Sequence, residues 1–178
     1  RFGGVPDVCT FAKGVTSAYV PRGGVALREP LAKHFDTHPL PSGHTFSGHP
    51  LTAAAGVAAL HAYRDEAVFE RARTLEGRLR LRLDELQSRH HVIGEVRGVG
   101  AFFGLELVAD RATREPLVQW QGTQTLQTLF SDLLARGLYV FGRYNVIVVA
   151  PPLIIGDAEL DEATAILDSA FTDLAKAG

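Results

Sequence analysis

Lys13 stands in the stretch TFAKGVTSAYVPRGGV, residues 10–25, and is one of only three lysines in a chain that carries 15 arginines. A lysine near its ordinary pKa of about 10.4 is protonated at neutral pH; withdrawal from water disfavours the charged form and brings the amine into a reactive range. The apolar run that ends in Phe11-Ala12, followed after Lys13 by Gly14, would supply such a setting. A neutral amine there could condense with an aldehyde to form an imine, which arginine cannot do. A lone Ala-Lys-Gly more often marks a solvated loop lysine, so this signal alone decides nothing.

A second constellation is PSGHTFSGHPLTAAAG, residues 41–56, where Ser, Thr and Gly precede a helical pattern. Hydroxyls and free backbone N–H groups at a helix start suit a phosphate, because the orphan donors and the helix dipole both favour an anion. An ordinary Ser/Gly turn has the same composition. Lys13 and Thr45 together would suit a cofactor carrying both an aldehyde and a phosphate. His34, His38, His44 and His49 raise the question of a metal, but Pro39 and Pro41 interrupt any regular helix there and no cysteine or carboxylate cluster joins them, so no metal is expected. Gly98-Val99-Gly100 lacks a dinucleotide fingerprint and reads as a turn. Arg143, between Gly142 and Tyr144, could pair with an anionic substrate group or be a solvated turn arginine.

Residues 1–50 are dense in Gly and Pro, with short apolar runs at Val8–Ala12 and Gly24–Leu27 that read as strands or strand ends. From Pro50 a stretch that is small and apolar nearly all round predicts a buried helix with proline in its first turn. Apolar residues at steps of three and four predict an amphipathic helix over 66–89. Residues 101–108 and 145–153 read as strands, and 123–136 and 158–176 as helices, the last opened by acidic residues. The alternation predicts a compact α/β lobe after residue 66, with a boundary between residues 62 and 70.

Of the 178 residues, 46% are hydrophobic and 21% charged, with a formal net charge of −2 and no basic block. Nucleic acid and an anionic membrane are therefore poor partners, and a small molecule is the better one. The single Cys9 permits no intrachain disulfide, and no run is as long and apolar as a membrane span, so the cytoplasm is the default location. The absence of methionine and the opening Arg1-Phe2-Gly3-Gly4 predict a piece of a longer polypeptide.

Read in order, VPDVCTFAKGVTSAYVPRGGV, GHTFSGHPLTAAAGVAAL, VRGVGAFFGLEL and VIVVAPPLIIGDAELDEA resemble the class III aminotransferases that depend on pyridoxal 5'-phosphate, nearly from end to end. The resemblance implies the C-terminal part of a fold-type I enzyme, with residues 1–65 ending the large cofactor domain and 66–178 forming the small domain. It implies that Lys13 holds the cofactor aldehyde as an internal aldimine and later moves the proton at the substrate carbon. It also implies that Thr45, helped by backbone near Phe46, binds the cofactor phosphate of a neighbouring subunit, so that a homodimer completes each site in trans. The aspartate for the pyridine nitrogen, the stacking aromatic and the same-subunit phosphate loop would lie upstream. Other members place a substrate-binding arginine where this chain has Val148 or Phe141; the FGRYN context makes Arg143 the candidate here and resembles the taurine or omega-amine:pyruvate branch. The implied reaction moves an amino group from an amine donor to a pyruvate-like keto acid. An aminomutase of the same fold, and a non-catalytic truncated module, are the alternatives.

Overall fold

The computed structural model describes residues 3–119 and 124–177, so the predicted helix start at Thr123 lies outside the described residues. The chain divides into two compact units, Arg1–Val68 and Phe69–Gly178.

In the first unit, strands β1 (Val8–Ala12) and β2 (Gly23–Leu27) form an antiparallel pair, with Ala12 opposite Gly23. A 3-10 turn, Lys13–Thr16, follows β1 directly. A short helix, α1 (Glu29–Ala32), follows β2, and the longer α2 (Pro50–Asp65) begins with its proline in the first turn, where a missing N–H costs no hydrogen bond. The expectation of a buried α2 is not met. Gly56 is its only buried residue, and Leu51, Val57 and Leu60 are 64%, 54% and 54% exposed. The all-round apolar surface is present in the sequence, but the described residues of this unit cover only the side that meets the Lys13–Thr16 turn.

The second unit has its own core. Helix α3 (Val68–Arg89) buries Leu75, Leu79, Leu83 and Leu86, spaced at three and four. They pack with Phe103, Leu105 and Leu107, which alternate along strand β4 (Phe102–Asp110) and so share one face. Strand β3 (Ile93–Val99) pairs with β4, whose other edge takes β7 (Val146–Val149) and then β6 (Phe141–Arg143); the two-residue β5 (Glu115–Pro116) also pairs with β4, and every pairing is antiparallel. Helices α4 (Gln124–Ala135) and α5 (Asp157–Ala177) complete the core with Leu126, Leu129, Leu133, Leu160, Leu167 and Phe171. Gly98 is required where it stands: a Cβ there would lie 2.5 Å from the Phe103 ring and 2.4 Å from the Phe102 carbonyl oxygen. No helix among the described residues is long and apolar enough to cross a membrane.

Arginines on α3 reach carboxylates on α5 at a constant sequence separation of 79: Arg78 to Asp157, Arg82 to Asp161 and Arg89 to Asp168, at 2.8, 2.7 and 3.0 Å. A constant offset over eleven residues means that the two helices run in the same direction, rising together by about 1.5 Å per residue. The Arg78 guanidinium, hydrogen-bonded to Asp157, holds that carboxyl below its ordinary value, and Arg136 does the same for Asp173. For Asp110 the cause is the backbone N–H of Thr113 and then that of Ala112.

These carboxyls are depressed in the fold, so their contribution to stability is present above the unfolded value of about 3.9 and is lost as pH falls through the folded values. The urea midpoint of the chain should therefore hold between neutral pH and about pH 5 and drop below about pH 4. In Asp157→Asn and Asp173→Asn this acid limb should be shallower, and an unchanged limb in both would contradict the assignment.

Candidate functional site

Lys13 leaves the end of β1 with a backbone φ of 58°, in the left-handed region, and Ser17 and Ala18 follow at 47° and 60°. A non-glycine residue costs about 1–2 kcal/mol in this conformation, so the surroundings must hold it. They do so from inside and outside the turn. Ser17 N–H donates to the Gly14 carbonyl at 3.1 Å and Tyr19 N–H to the Thr16 carbonyl at 3.1 Å. Thr16, the one buried polar residue among those described, donates its hydroxyl to the Val20 carbonyl at 2.7 Å. From α2, the Tyr63 hydroxyl hydrogen-bonds the Gly14 carbonyl and lies 3.2 Å from Ser17 Oγ.

Lys13 itself is exposed, so the expected desolvation is not provided by the described residues. Its distinction is different. Lys33 pairs with Glu29 and Lys176 with Asp173, whereas Lys13 has no carboxylate partner among the described residues. The turn presents this amine on a left-handed backbone held by the hydrogen bonds of Ser17, Tyr19, Thr16 and Tyr63.

Thr45 and Phe46 lie in the turn that leads to α2, both exposed, with Gly48 at a φ of 69° and His44 N–H directed at Ser47 Oγ, 3.3 Å away. Phe46, Ser47 and His49 line a cleft of about 920 Å³ whose other wall is formed by Phe11, Arg22 and the β2 glycines. Lys13 and Thr45 are not among its lining residues. His34 and His38 stack at 4.2 Å with their planes 6° apart, and His38 Nδ1 lies 3.0 Å from the His34 carbonyl.

Arg143 belongs to the second unit, at the end of β6 beside the turn into β7. Its guanidinium lies 5.0 Å from the centroid of the Tyr144 ring and donates to the Tyr144 hydroxyl at 3.1 Å. The turn is fastened by Asn145, whose side chain donates to the Val118 carbonyl at 2.9 Å and accepts from Val118 N–H at 3.0 Å. Phe141 and Val148, the two positions at which the resemblance puts an arginine in other members, are register partners across β6 and β7. Arg143 is two residues along from Phe141, so it projects from the same face of the sheet. With Phe130 and Gln127 it lines a cleft of about 800 Å³.

The sequence reading did not single out Thr16, Arg22, Thr52 or Tyr63. The bonds from Tyr63 to the Lys13 turn span 46 and 49 residues, and nothing in local spacing announces them. Arg22 was visible only as a cation in a glycine-rich stretch.

The profile of class III aminotransferases matches residues 1–171, and the chain belongs to that family. A probable aminotransferase of Mycobacterium tuberculosis is 36% identical over 176 residues, covering 96% of this chain and 38% of that protein. A taurine–pyruvate aminotransferase of Rhodobacter capsulatus is 34% identical over 188 residues, covering 98% and 40%. Among solved structures, the taurine:2-oxoglutarate aminotransferase from Bifidobacterium kashiwanohense, in complex with pyridoxal phosphate and glutamate, superposes with a TM-score of 0.90 at 37% identity, covering 96% of this chain and 39% of that one. The chain thus spans about two fifths of the length of these relatives. Its fold is that of the corresponding part of a fold-type I transaminase.

If the Thr16 hydroxyl holds the turn, Thr16→Val, which keeps the volume but leaves the Val20 carbonyl unpaired, should cost about 1–2 kcal/mol locally. Amide exchange at Ser17 and Tyr19 should quicken by about fivefold or more, since about 1.4 kcal/mol is a factor of ten. Unchanged exchange at both amides would contradict this role.

Proposed function

We propose that this chain carries the reactive lysine of a pyridoxal-phosphate-dependent aminotransferase, which moves an amino group from an amine donor to a keto acid of the pyruvate kind. The observation that carries the reading is Lys13, an amine without a counter-ion among the described residues, held at the end of β1 by a left-handed turn. The residues present fit the group: Lys13 offers a primary amine for its aldehyde, and the turn with Ser42, Thr45 and Ser47 offers hydroxyl donors for its phosphate. Family membership and the likeness to a transaminase solved with pyridoxal phosphate support the same cofactor.

When bound, pyridoxal phosphate supplies an electron sink for the electrons left at the substrate carbon when its proton departs. Lys13 would hold the aldehyde of the group through its Nζ. Its amine would accept the proton from the substrate carbon and return it during transfer. The constrained backbone fixes the direction from which Nζ approaches, which limits the conformational freedom lost at the reacting geometry. Thr45, with backbone near Phe46, holds phosphate belonging to a second subunit, so the working form is a homodimer with each site completed in trans. In this reading residues 1–65 end the cofactor domain, 66–178 form the small domain, and Arg143 pairs with the acid group of the donor or acceptor.

Amino transfer from taurine and alanine to pyruvate or 2-oxoglutarate, measured with pyridoxal phosphate present, tests the proposal. Lys13→Ala should lower kcat by about 10²-fold or more, the scale of a lost general base. Arg143→Ala should raise KM for acid-bearing donors while leaving an uncharged amine donor unaffected. Transfer that survives Lys13→Ala would overturn the role of Lys13, and equal effects on both donor types would remove Arg143 from the substrate site.

A further inference from the structure

Tyr63 and Ser17 have no part in the transamination reading, yet they close a ring of hydrogen bonds on the residue that follows Lys13. The Gly14 carbonyl accepts from Ser17 N–H at 3.1 Å and from the Tyr63 hydroxyl. Because the Tyr63 proton is directed at that carbonyl, the 3.2 Å contact between the two hydroxyls is donated by Ser17. Each member of the ring holds the other two, and Tyr63 is the member that comes from another element.

Helix α2 presents Tyr63 by its periodicity. Gly56 and Tyr63 are seven residues apart, about two turns, so they share a face, and both meet the Lys13–Thr16 turn. The position a Cβ would take on Gly56 is 3.7 Å from the Val15 carbonyl oxygen, and Tyr63 reaches the same turn with its hydroxyl. On the other side of Lys13, Ala12 stands in register with Gly23 in the β1–β2 hairpin. The Lys13 carbonyl itself accepts from Ala18 N–H at 3.4 Å. The backbone is therefore fixed before Lys13 by the hairpin and after it by the ring, with Lys13 left-handed between them. The four-carbon arm sweeps only the arc that this Cα–Cβ direction allows.

We infer that Tyr63 is a positioning residue for Lys13, with Ser17 acting through it, and that the two hydroxyls govern how fast the Lys13 amine bonds to the cofactor aldehyde. The inference rests on the reading of Lys13 given above. Its reason is geometric: a left-handed turn of non-glycine residues reverts toward ordinary backbone when its bonds are removed. The amine then meets the aldehyde from more directions, few of which lead to reaction. The first encounter with the cofactor does not use either hydroxyl, so its affinity is unaffected.

Timed mixing with pyridoxal phosphate, quenched by borohydride and read by peptide mass, tests the inference. In the trapped reaction Nζ adds to the aldehyde carbon, the aldehyde oxygen leaves as water with two amine protons, and hydride from the quench reduces the C=N bond. Tyr63→Phe keeps the aromatic ring and removes both hydroxyl contacts. It should lower the maximal rate on Lys13 by about fivefold or more, the scale of a lost hydrogen bond, with the half-saturating cofactor concentration unchanged. Ser17→Ala should lower the rate less, and adding it to Tyr63→Phe should change nothing further, because Ser17 acts through Tyr63. Tyr139→Phe, at an exposed tyrosine of the second unit, should leave the rate unaltered. Without cofactor, amide exchange at Ser17 should quicken in Tyr63→Phe while the amides of α3 stay protected. No adduct on Lys13 in the unsubstituted protein defeats the reading of Lys13 and this inference with it. An adduct on Lys13 that forms equally fast in folded Tyr63→Phe overturns this inference alone. So does a slower rate accompanied by weaker half-saturation, by unchanged exchange at Ser17, or by additive losses in the double variant.

Discussion

The conformation of one residue governs the first unit. Lys13 follows an extended strand with a left-handed backbone, and two more non-glycine residues adopt that region within the next five. Such a turn persists only where other bonds exceed its cost. The buried Thr16 hydroxyl closes it on the Val20 carbonyl, and Tyr63 grips it from α2. The small side chains of α2 bring the helix close enough for that grip: Gly56 lies 3.7 Å from the Val15 carbonyl, measured from the position a Cβ would take. The turn, the helix and the strand end therefore act as one support for the amine.

The distribution of charge separates support from function. On α3 and α5 the arginines meet carboxylates in a regular ladder, and Arg136 is shared between Asp132 and Asp173. In the first unit the described cations Arg28, Lys33 and Arg64 have acidic partners, while Lys13 and Arg22 have none among the described residues. Exposed ion pairs contribute little to stability, typically about 0–1 kcal/mol, so the paired groups are unremarkable and the unpaired ones carry the information. Each of these two groups is positioned without a carboxylate among the described residues: Lys13 by backbone constraint, and Arg22 by its passage across Gly56 to the Thr52 hydroxyl.

The helices of the second unit were legible because leucines at three and four residue steps must share a face, and Leu75, Leu79, Leu83 and Leu86 do. Strand β3 escaped the sequence reading for a physical reason. The register shifts between Ile93 and Glu95, so Ile93 and Val96 both reach the core although an odd spacing separates them, and the two-residue period is broken. Arg97 then bridges Glu95 and Glu106 across the pair, giving the strand the charged composition of a loop. Lys13 was legible by residue type and by family motif, but its exposure was not, since burial depends on what packs around a turn. The contacts of Arg22 with Thr52 and Gly56 were illegible because they span 30 and 34 residues.

The proposed chemistry requires Lys13 to be the amine that meets the cofactor aldehyde. Reduction of the protein with borohydride in the presence of pyridoxal phosphate, followed by peptide mass spectrometry, reports this directly, because it fixes the bond where it forms. The account predicts a stoichiometric mass increase on the peptide containing Lys13, with Lys33 and Lys176 unlabelled. Labelling spread evenly over the three lysines, or confined to either of the other two, would contradict it.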